Sequence, residues 1–378
     1  MINIGITGQA GFIGTHLYNT LRLNPDQYTC IPFEDALFED PGKLAEWVSK
    51  CDVIIHLAAM NRHGNPQVIY DTNIRLVEDL IAALNQTNSK AHILFSSSTQ
   101  EERDNPYGKS KRKGRLLLAD WAERTGGGFT GLVIPNVFGP FGNPYYNSVI
   151  ATFSHQINHG ETPKIDIDAE MKLIYVAELT GEIISRIRNH KEKQIIPEFI
   201  IPHTASINVT GMLKLLEGYK AEYVGRGIIP ALNSPFEINL FNTFRGYMDI
   251  INHYPVKFVQ HTDDRGAFVE ILKLNGGGQF SFSTTKPGIT RGNHFHTRKI
   301  ERFAVIKGNA LIQLRKVGTN EVMDFYLSGN EPAYVDMPIW YTHNITNIGK
   351  DELFTLFWIN EFYNLDDADT FFEDVILN

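Results

Sequence analysis

The N-terminal segment constrains the fold more than any other. Residues 1–7 form an apolar run of strand length that passes directly into Gly8-Gln-Ala-Gly11-Phe12-Ile13-Gly14, and a helical pattern follows through Leu17 and Leu21. Strand, glycine turn and helix in that order open a parallel sheet with helices on its faces. Gly8 permits the tight turn, Gly11 lets backbone approach a pyrophosphate, and Gly14 allows close helix packing, with the helix N-terminus facing the phosphates. The segment therefore predicts an α/β Rossmann-type parallel sheet that holds a dinucleotide.

The next apolar strand, residues 28–33, ends at Glu34, about twenty residues after Gly14. A carboxylate there accepts hydrogen bonds from ribose hydroxyls and repels a 2′-phosphate, which favours NADH, while a nearby arginine would admit NADPH. The plainer alternative is that Glu34 and Asp35 are loop carboxylates. Residues 51–59, ending in Leu57, Ala58 and Ala59, read as a third buried strand, and a helical pattern runs from Asn73 through Val77, Leu80, Ile81 and Leu84. Residues 91–98 form a strand ending in Ser96, Ser97 and Ser98, followed by Tyr107 and Lys111. Four apart on a helix, tyrosine and lysine share a face, so the ammonium can lower the phenol pKa while also holding a cofactor ribose. The phenol can then donate a proton to a substrate carbonyl as hydride arrives. Against this stand two bland readings, a surface tyrosine after Pro106 and serines that merely cap a helix.

At 378 residues the chain suggests two domains. Its net charge of −8 offers no footprint for nucleic acid, and no basic run suggests a membrane surface. Cys30 and Cys51 both lie in apolar segments, which fits a reducing compartment. With no leader-like segment and no apolar run of membrane-spanning length, a cytoplasmic protein is expected.

From about Pro255 the texture changes to short alternating strands broken by Gly, Asn and Asp, which predicts an antiparallel all-β barrel. A helix over Val209–Tyr219 is expected to close the first domain, giving domains of 1–245 and 246–378. His294 and His296, two apart on a strand, can aim both imidazoles at one point, and a turn would bring Glu301 onto a facing strand. His343 is the candidate fourth ligand. Three imidazoles and a carboxylate suit zinc or another divalent transition metal.

In combination, Gly8-x2-Gly11-x2-Gly14, His56-Leu-Ala-Ala59, Asn73, Ser96-Ser-Ser98, Tyr107-x3-Lys111 and Pro135-Asn-Val-Phe-Gly-Pro140 resemble the extended short-chain dehydrogenase/reductases that act on nucleotide sugars. The resemblance implies that Ser98 positions the carbonyl, Tyr107 is the acid and Lys111 assists it. It implies a cofactor surface made by Gly8, Gly11, Phe12, Ile13, Gly14, Glu34, Leu57, Ala58, Ala59, Asn73 and Lys111, with Asn136 and Phe138 near the nicotinamide. The arginine that such enzymes carry shortly before the Asn-Val-Tyr-Gly segment is missing from Leu132-Val-Ile-Pro135. Asn147, with Tyr145 and Tyr146, is a candidate to hydrogen-bond or stack on a nucleotide base, against the plainer reading that the aromatic residues pack.

In the second half, Gly288-x5-His294-x-His296-x4-Glu301-x6-Gly308 and Pro338-x-Trp340-x2-His343-x3-Asn347 resemble the two cupin motifs, departing from them at Trp340 and Pro332. Asp264-Arg265-Gly266 and Arg291-Gly-Asn-His294 resemble the dTDP-sugar 3,5-epimerases, in which the histidine is a base and no metal is bound. A ligated imidazole has no lone pair left for general-base work. The four-ligand set favours metal and leaves the base open among Tyr341, His261, Asp264 and Glu361.

Taken whole, the chain resembles the CapF family of bifunctional capsule enzymes. That implies C3 epimerisation of a UDP-4-keto-6-deoxy-N-acetylhexosamine in the cupin domain, then C4 reduction with NADPH toward UDP-N-acetyl-L-fucosamine, with Arg265 and Arg291 contacting the UDP-sugar and a homodimer formed through the cupin. The alternatives are a ketoreductase with a structural cupin and a dinucleotide-sensing binding protein.

Overall fold

The computed structural model describes residues 1–377. They fall into two compact units: one comprises Met1–Val149 and Asp168–Val209, and the other comprises Ile150–Ile167 with the chain from Thr210 onward.

The first unit is built on β1 (Ile2–Thr7), β2 (Tyr28–Ile31), β3 (Val53–His56), β4 (His92–Ser98), β5 (Gly128–Ile134) and β8 (Ile195–Ile200), a six-stranded sheet in the order β2-β1-β3-β4-β5-β8. Every pairing in it is parallel. The strands are continuous apolar runs because both faces are covered. Ile54, Ile93, Phe95 and Phe129 enter one core, and Ile4, Ile6, Ile55 and Leu132 enter the other. Helices α1 (Phe12–Arg22), α2 (Pro41–Ser49), α3 (Pro66–Gln86), α4 (Pro106–Thr125) and α6 (Val176–Arg188) supply the covering. Two of them begin with an Asn-Pro pair: Asn65 accepts from Gln67 N at 3.0 Å and Asn105 from Gly108 N at 2.7 Å, with proline at the first helical position. A small sheet joins β6 (Asn136–Phe138), β7 (Glu170–Tyr175) and β9 (Ala205–Asn208).

The chain leaves β1 for β2 on one side and returns to β3 on the other. That reversal opens a crevice beyond the carboxyl ends of β1 and β3, where Thr7 pairs with His56.

The second unit carries α5 (Val149–Asn158), α7 (Val209–Tyr219), α8 (Pro235–Arg245) and α9 (Ile250–His253), with a π-helical turn at Lys220–Val224. Its strands are β10 (Ile228–Ile229), β11 (Val256–Lys257), β12 (Gln260–Asp263), β13 (Gly266–Val269), β14 (Lys273–Leu274), β15 (Gln279–Thr285), β16 (Thr290–Phe295), β17 (Glu301–Lys307), β18 (Asn309–Lys316), β19 (Val322–Ser328), β20 (Ala333–Met337), β21 (Tyr341–Asn347), β22 (Leu353–Ile359) and β23 (Phe371–Phe372). Two five-stranded sheets result, β11-β20-β17-β22-β15 and β19-β18-β21-β16-β23, antiparallel throughout. They share one core, in which Phe303, Val305 and Val335 of the first sheet pack with Ile312, Leu314 and Ile345 of the second.

The division differs from a cut at 245/246. Helix α7 forms over the expected residues, yet it belongs with the second unit, as does α8. The reason is polar as well as apolar. Tyr223 donates to Asp336 at 2.6 Å, Arg245 to Met337 O at 2.9 Å and Asn242 to Arg298 O at 3.0 Å, while Tyr219 packs on Phe241 and Phe244. No helix among the described residues is long and apolar enough to cross a membrane.

Candidate active site and metal centre

The crevice at the end of β1 is shaped by close backbone approaches. Gly8 has φ +68°, and a Cβ there would lie 2.9 Å from Ala58 N; a Cβ on Gly14 would lie 2.3 Å from Gly8 O. Gly11 caps α1 without a side chain, and no acidic residue occupies the first turn, so no side chain caps the N–H groups of Phe12 and Ile13, which suit an anion. Leu57 and Ala58 are tied to β1, through Leu57 N to Thr7 O at 3.2 Å and Ala58 N to Thr7 Oγ1 at 3.3 Å, and Ala59 follows them. Glu34 is exposed just past β2.

Two expected cofactor residues have other duties. The amide of Asn73 accepts from Met60 N at 2.7 Å and donates to Met60 O at 3.1 Å and Ser110 Oγ at 3.0 Å, so it holds the segment after β3 in place. Phe138 is buried against Tyr175, 5.3 Å between ring centroids, and leaves only its backbone to face a nicotinamide. Asn136 is exposed at the start of β6, and Asn147 is exposed in the segment after it.

Tyr107 and Lys111 stand one turn apart on α4, beside the end of β4. Lys111 Nζ donates to Ser96 Oγ at 3.4 Å and lies over the rings of Phe95 and Tyr107. Burial pulls this ammonium down to about 7, with Glu101 acting the other way. The expectation that it lowers the phenol pKa fails here: burial pushes Tyr107 up to about 12, and Tyr146 adds to the rise. Ser98 does cap the turn that follows, accepting from Gln100 N at 3.2 Å.

Behind this turn lies a pair that the sequence reading missed. Arg115, one turn beyond Lys111, donates twice to Glu101, at 2.9 and 2.7 Å, and to Pro197 O at 2.8 Å; Ser97 donates to the same carboxylate. The pair is buried and braces the Ser98 turn against the helix that carries Tyr107. An acid three residues after Ser98 and an arginine four after Lys111 were its only sequence signal.

In the second unit, one face of each sheet contributes to a four-residue cluster. His294, His296, Glu301 and His343 bring one ligand atom each to within 4.8 Å of one another. His294 pairs directly with His343 across β16 and β21, whereas Glu301 opens β17 of the other sheet. Its Oε2 lies 3.1 Å from His296 Nε2 and 3.3 Å from His343 Nε2. Both imidazoles are oriented from behind, His296 Nδ1 bonding Asp369 O and His343 Nδ1 bonding Tyr341 O at 3.1 Å. Those bonds hold the proton on Nδ1 and turn the Nε2 lone pairs inward. Burial and then the neighbouring histidines hold His294 down to about 4. Burial opposes ionisation of Glu301, but the close approach of His296 and His343 to its Oε2 outweighs that and keeps it a carboxylate. His296 Nε2, Glu301 Oε2 and His343 Nε2 are buried without a partner of hydrogen-bonding geometry. Converging buried donors with fixed tautomers fit a divalent transition metal.

A bulge on β16 adds Arg291 to this face. Gly292 at φ +105° and Asn293 at φ +57° break the pairing between Gly292 and His294, and a Cβ on Gly292 would lie 2.7 Å from His343 O. Arg291 opposes Ile345 as His294 opposes His343, so both share the inner face although they are three apart. Of the open base candidates, Glu361 is engaged by Arg298 at 3.0 Å, and His261 and Asp264 are exposed on the β12–β13 hairpin. Arg265 in that turn pairs with Asp263 at 2.6 Å. Tyr341, two before His343, shares its face, and burial pushes it up to about 12.

The NAD dependent epimerase/dehydratase family matches residues 4–197, and the polysaccharide biosynthesis C-terminal domain matches residues 261–371. A UDP-2-acetamido-2,6-beta-L-arabino-hexul-4-ose reductase of Pseudomonas aeruginosa is 31% identical over 378 residues, 97% of each chain. The crystal structure of the capsular polysaccharide assembling protein CapF from Staphylococcus aureus shares 34% identity at a TM-score of 0.62, covering 99% of this chain and 100% of that one. A spore coat polysaccharide biosynthesis protein of Bacillus subtilis, SpsL, is 26% identical over 125 residues, 30% of this chain and 82% of its own. The chain thus belongs to the NAD dependent epimerase/dehydratase family through its first half and, over its whole length, to the CapF family.

Proposed function

We propose that the protein is a bifunctional nucleotide-sugar enzyme of capsular polysaccharide synthesis. Its second unit, read as a cupin barrel, inverts C3 of a UDP-4-keto-6-deoxy-N-acetylhexosamine, and its first unit reduces the C4 ketone to give UDP-2-acetamido-2,6-dideoxy-L-talose, the precursor of UDP-N-acetyl-L-fucosamine. The observation that carries this is the end-to-end match to a reductase of a UDP-linked hexul-4-ose, combined with Tyr107 and Lys111 one turn apart on α4 and Ser98 at the end of β4.

A dinucleotide held at the Gly8–Gly14 turn would supply the hydride for C4, and Tyr107 would give its proton to the carbonyl oxygen, which gains the π pair. Ser98 orients the ketone, and Lys111, beside the Tyr107 ring, holds the cofactor ribose. NADPH is the proposed donor, with NADH admitted by the exposed Glu34. Epimerisation precedes reduction because only the 4-ketone makes the C3 proton acidic. His294, His296, Glu301 and His343 would hold zinc or another divalent transition metal, which supplies Lewis acidity when bound. Arg291 is the proposed contact to the anionic substrate from the inner face, and Arg265 and Asn147 are further candidates. Tyr341 is the base candidate that shares the face of the cluster. Exposed Phe280 and Phe282 on the edge strand β15 support a homodimer through this unit. A cytoplasmic location accords with its sugar-nucleotide substrate.

The test is deuterium uptake at C3 of the 4-keto UDP-sugar in heavy water without nicotinamide. Uptake that survives Tyr107→Phe, while reduction is lost, is expected. A second reading, a ketoreductase with a structural cupin, is favoured by the name of the Pseudomonas relative, a reductase alone. No uptake alongside full NADPH oxidation would establish it instead.

A further inference from the structure

Asp369 lies far along the chain from the metal ligands, on no catalytic motif, yet it is 6% exposed and sits at φ +42°, in the left-handed region that few residues other than Gly, Asn and Asp accept. Its carboxylate accepts from Thr297 N at 3.1 Å, Thr297 Oγ1 at 2.6 Å, Arg298 N at 3.0 Å and Lys299 N at 3.0 Å. Three consecutive backbone N–H groups converging on one anion make a nest. Its own carbonyl accepts the Nδ1–H of His296, the residue just before that nest.

The segment that follows stays beside the other ligands. Phe372 pairs with His294 and Phe371 with Phe295, Glu373 N donates to Asn293 O at 3.0 Å, and Thr342, next to His343, donates to Glu373 O. Arg315, fully buried, holds Val375 O at 2.9 Å and Asp374 O at 2.7 Å. Apart from Phe371 and Val375 the strap contributes little apolar burial: Phe372 is 85% exposed, and Ile376 and Leu377 beyond it are half exposed. Its hold is polar and directed at the backbone that bears the ligands.

We infer that the strap 369–375 is the outer shell of the metal cluster and that Asp369 is the positioning residue for His296. The inference rests on the metal reading above. The nest fixes the Asp369 carbonyl, the carbonyl fixes the imidazole tautomer and angle, and Nε2 is thereby presented to the cluster. By the same linkage, a bound metal must hold the strap down.

The experiment titrates zinc into full-length apoprotein against a chromophoric chelator, for wild type, Asp369→Ala, Asp369→Asn and Glu361→Gln, with hydrogen exchange of the strap followed with and without zinc. Loss of such an outer-shell partner weakens metal binding by about 10–100-fold, and that is expected for Asp369→Ala. Asp369→Asn, which keeps the φ preference and one acceptor oxygen, should recover part of it. Glu361→Gln, which touches only the Arg298 and Lys299 side chains, should bind zinc as wild type does, and zinc should slow strap exchange. Unchanged affinity in Asp369→Ala with a lowered Tm would overturn the inference and leave the strap a structural element. If that variant does not fold, strap exchange in wild type that ignores zinc overturns it equally. Wild type that takes up no divalent metal removes the metal reading itself and this inference with it.

Discussion

Replacing Glu101 by Gln tests whether the brace behind Ser98 matters to both stability and chemistry. The substitution keeps the shape and an acceptor for Ser97 but takes the charge from Arg115, whose side chain is 7% exposed. Breaking a buried pair by removing one partner costs about 3–5 kcal/mol. Here the lower end applies, because Glu198 stays 3.0 Å from Arg115, although it is half exposed and well solvated. At about 2–4 °C per kcal/mol for a unit of this size, the first thermal transition should fall by roughly 6–12 °C. The double variant Glu101→Leu/Arg115→Met removes both charges and should recover more than half of that loss, since apolar replacements of buried pairs are often neutral. Its kcat for ketone reduction should nonetheless stay low, because nothing then ties the Ser98 turn to α4. A single variant that loses less than about 1 kcal/mol, or a double variant with wild-type kcat, would refute the reasoning.

Three further outcomes are expected. Gly14→Ala drives a methyl against Gly8 O at 2.3 Å, so NADPH affinity measured by fluorescence titration should fall at least about tenfold. Lys111 titrates near 7 when folded and near its ordinary 10.5 when unfolded, so between those values the unfolded chain binds more protons; urea stability of the cofactor-free protein should rise from pH 7 toward pH 10, and Lys111→Met should flatten the rise. Gly292→Ala collides with His343 O at 2.7 Å and disturbs the β16 bulge, so it should weaken both zinc binding by chelator competition and substrate affinity, whereas reduction of a C3-inverted substrate should proceed normally.

Features carried by neighbouring residues were open to reading before any coordinates. The glycine turn, the Tyr107 and Lys111 spacing and the His-x-His pair are each set within one turn or strand, where spacing dictates geometry. What escaped was non-local. For Asn73 and Phe138, place in a motif does not reveal that Met60 and Tyr175 engage them. Asp369 and the Glu101–Arg115 pair have partners 73 and 14 residues away. The bulge at Asn293 depends on its partner strand, and without it a two-residue alternation would put Arg291 outside.

The interleaving of the two units has a consequence for how such a gene can be divided. The polypeptide passes between them at 149/150, 167/168 and 209/210, so each unit is made of two separate stretches. A single break at any one point, by protease or by gene fission, leaves at least one fragment lacking a stretch of its own unit. Isolating the second unit in the laboratory therefore needs a chain in which 150–167 is joined directly to 210 onward.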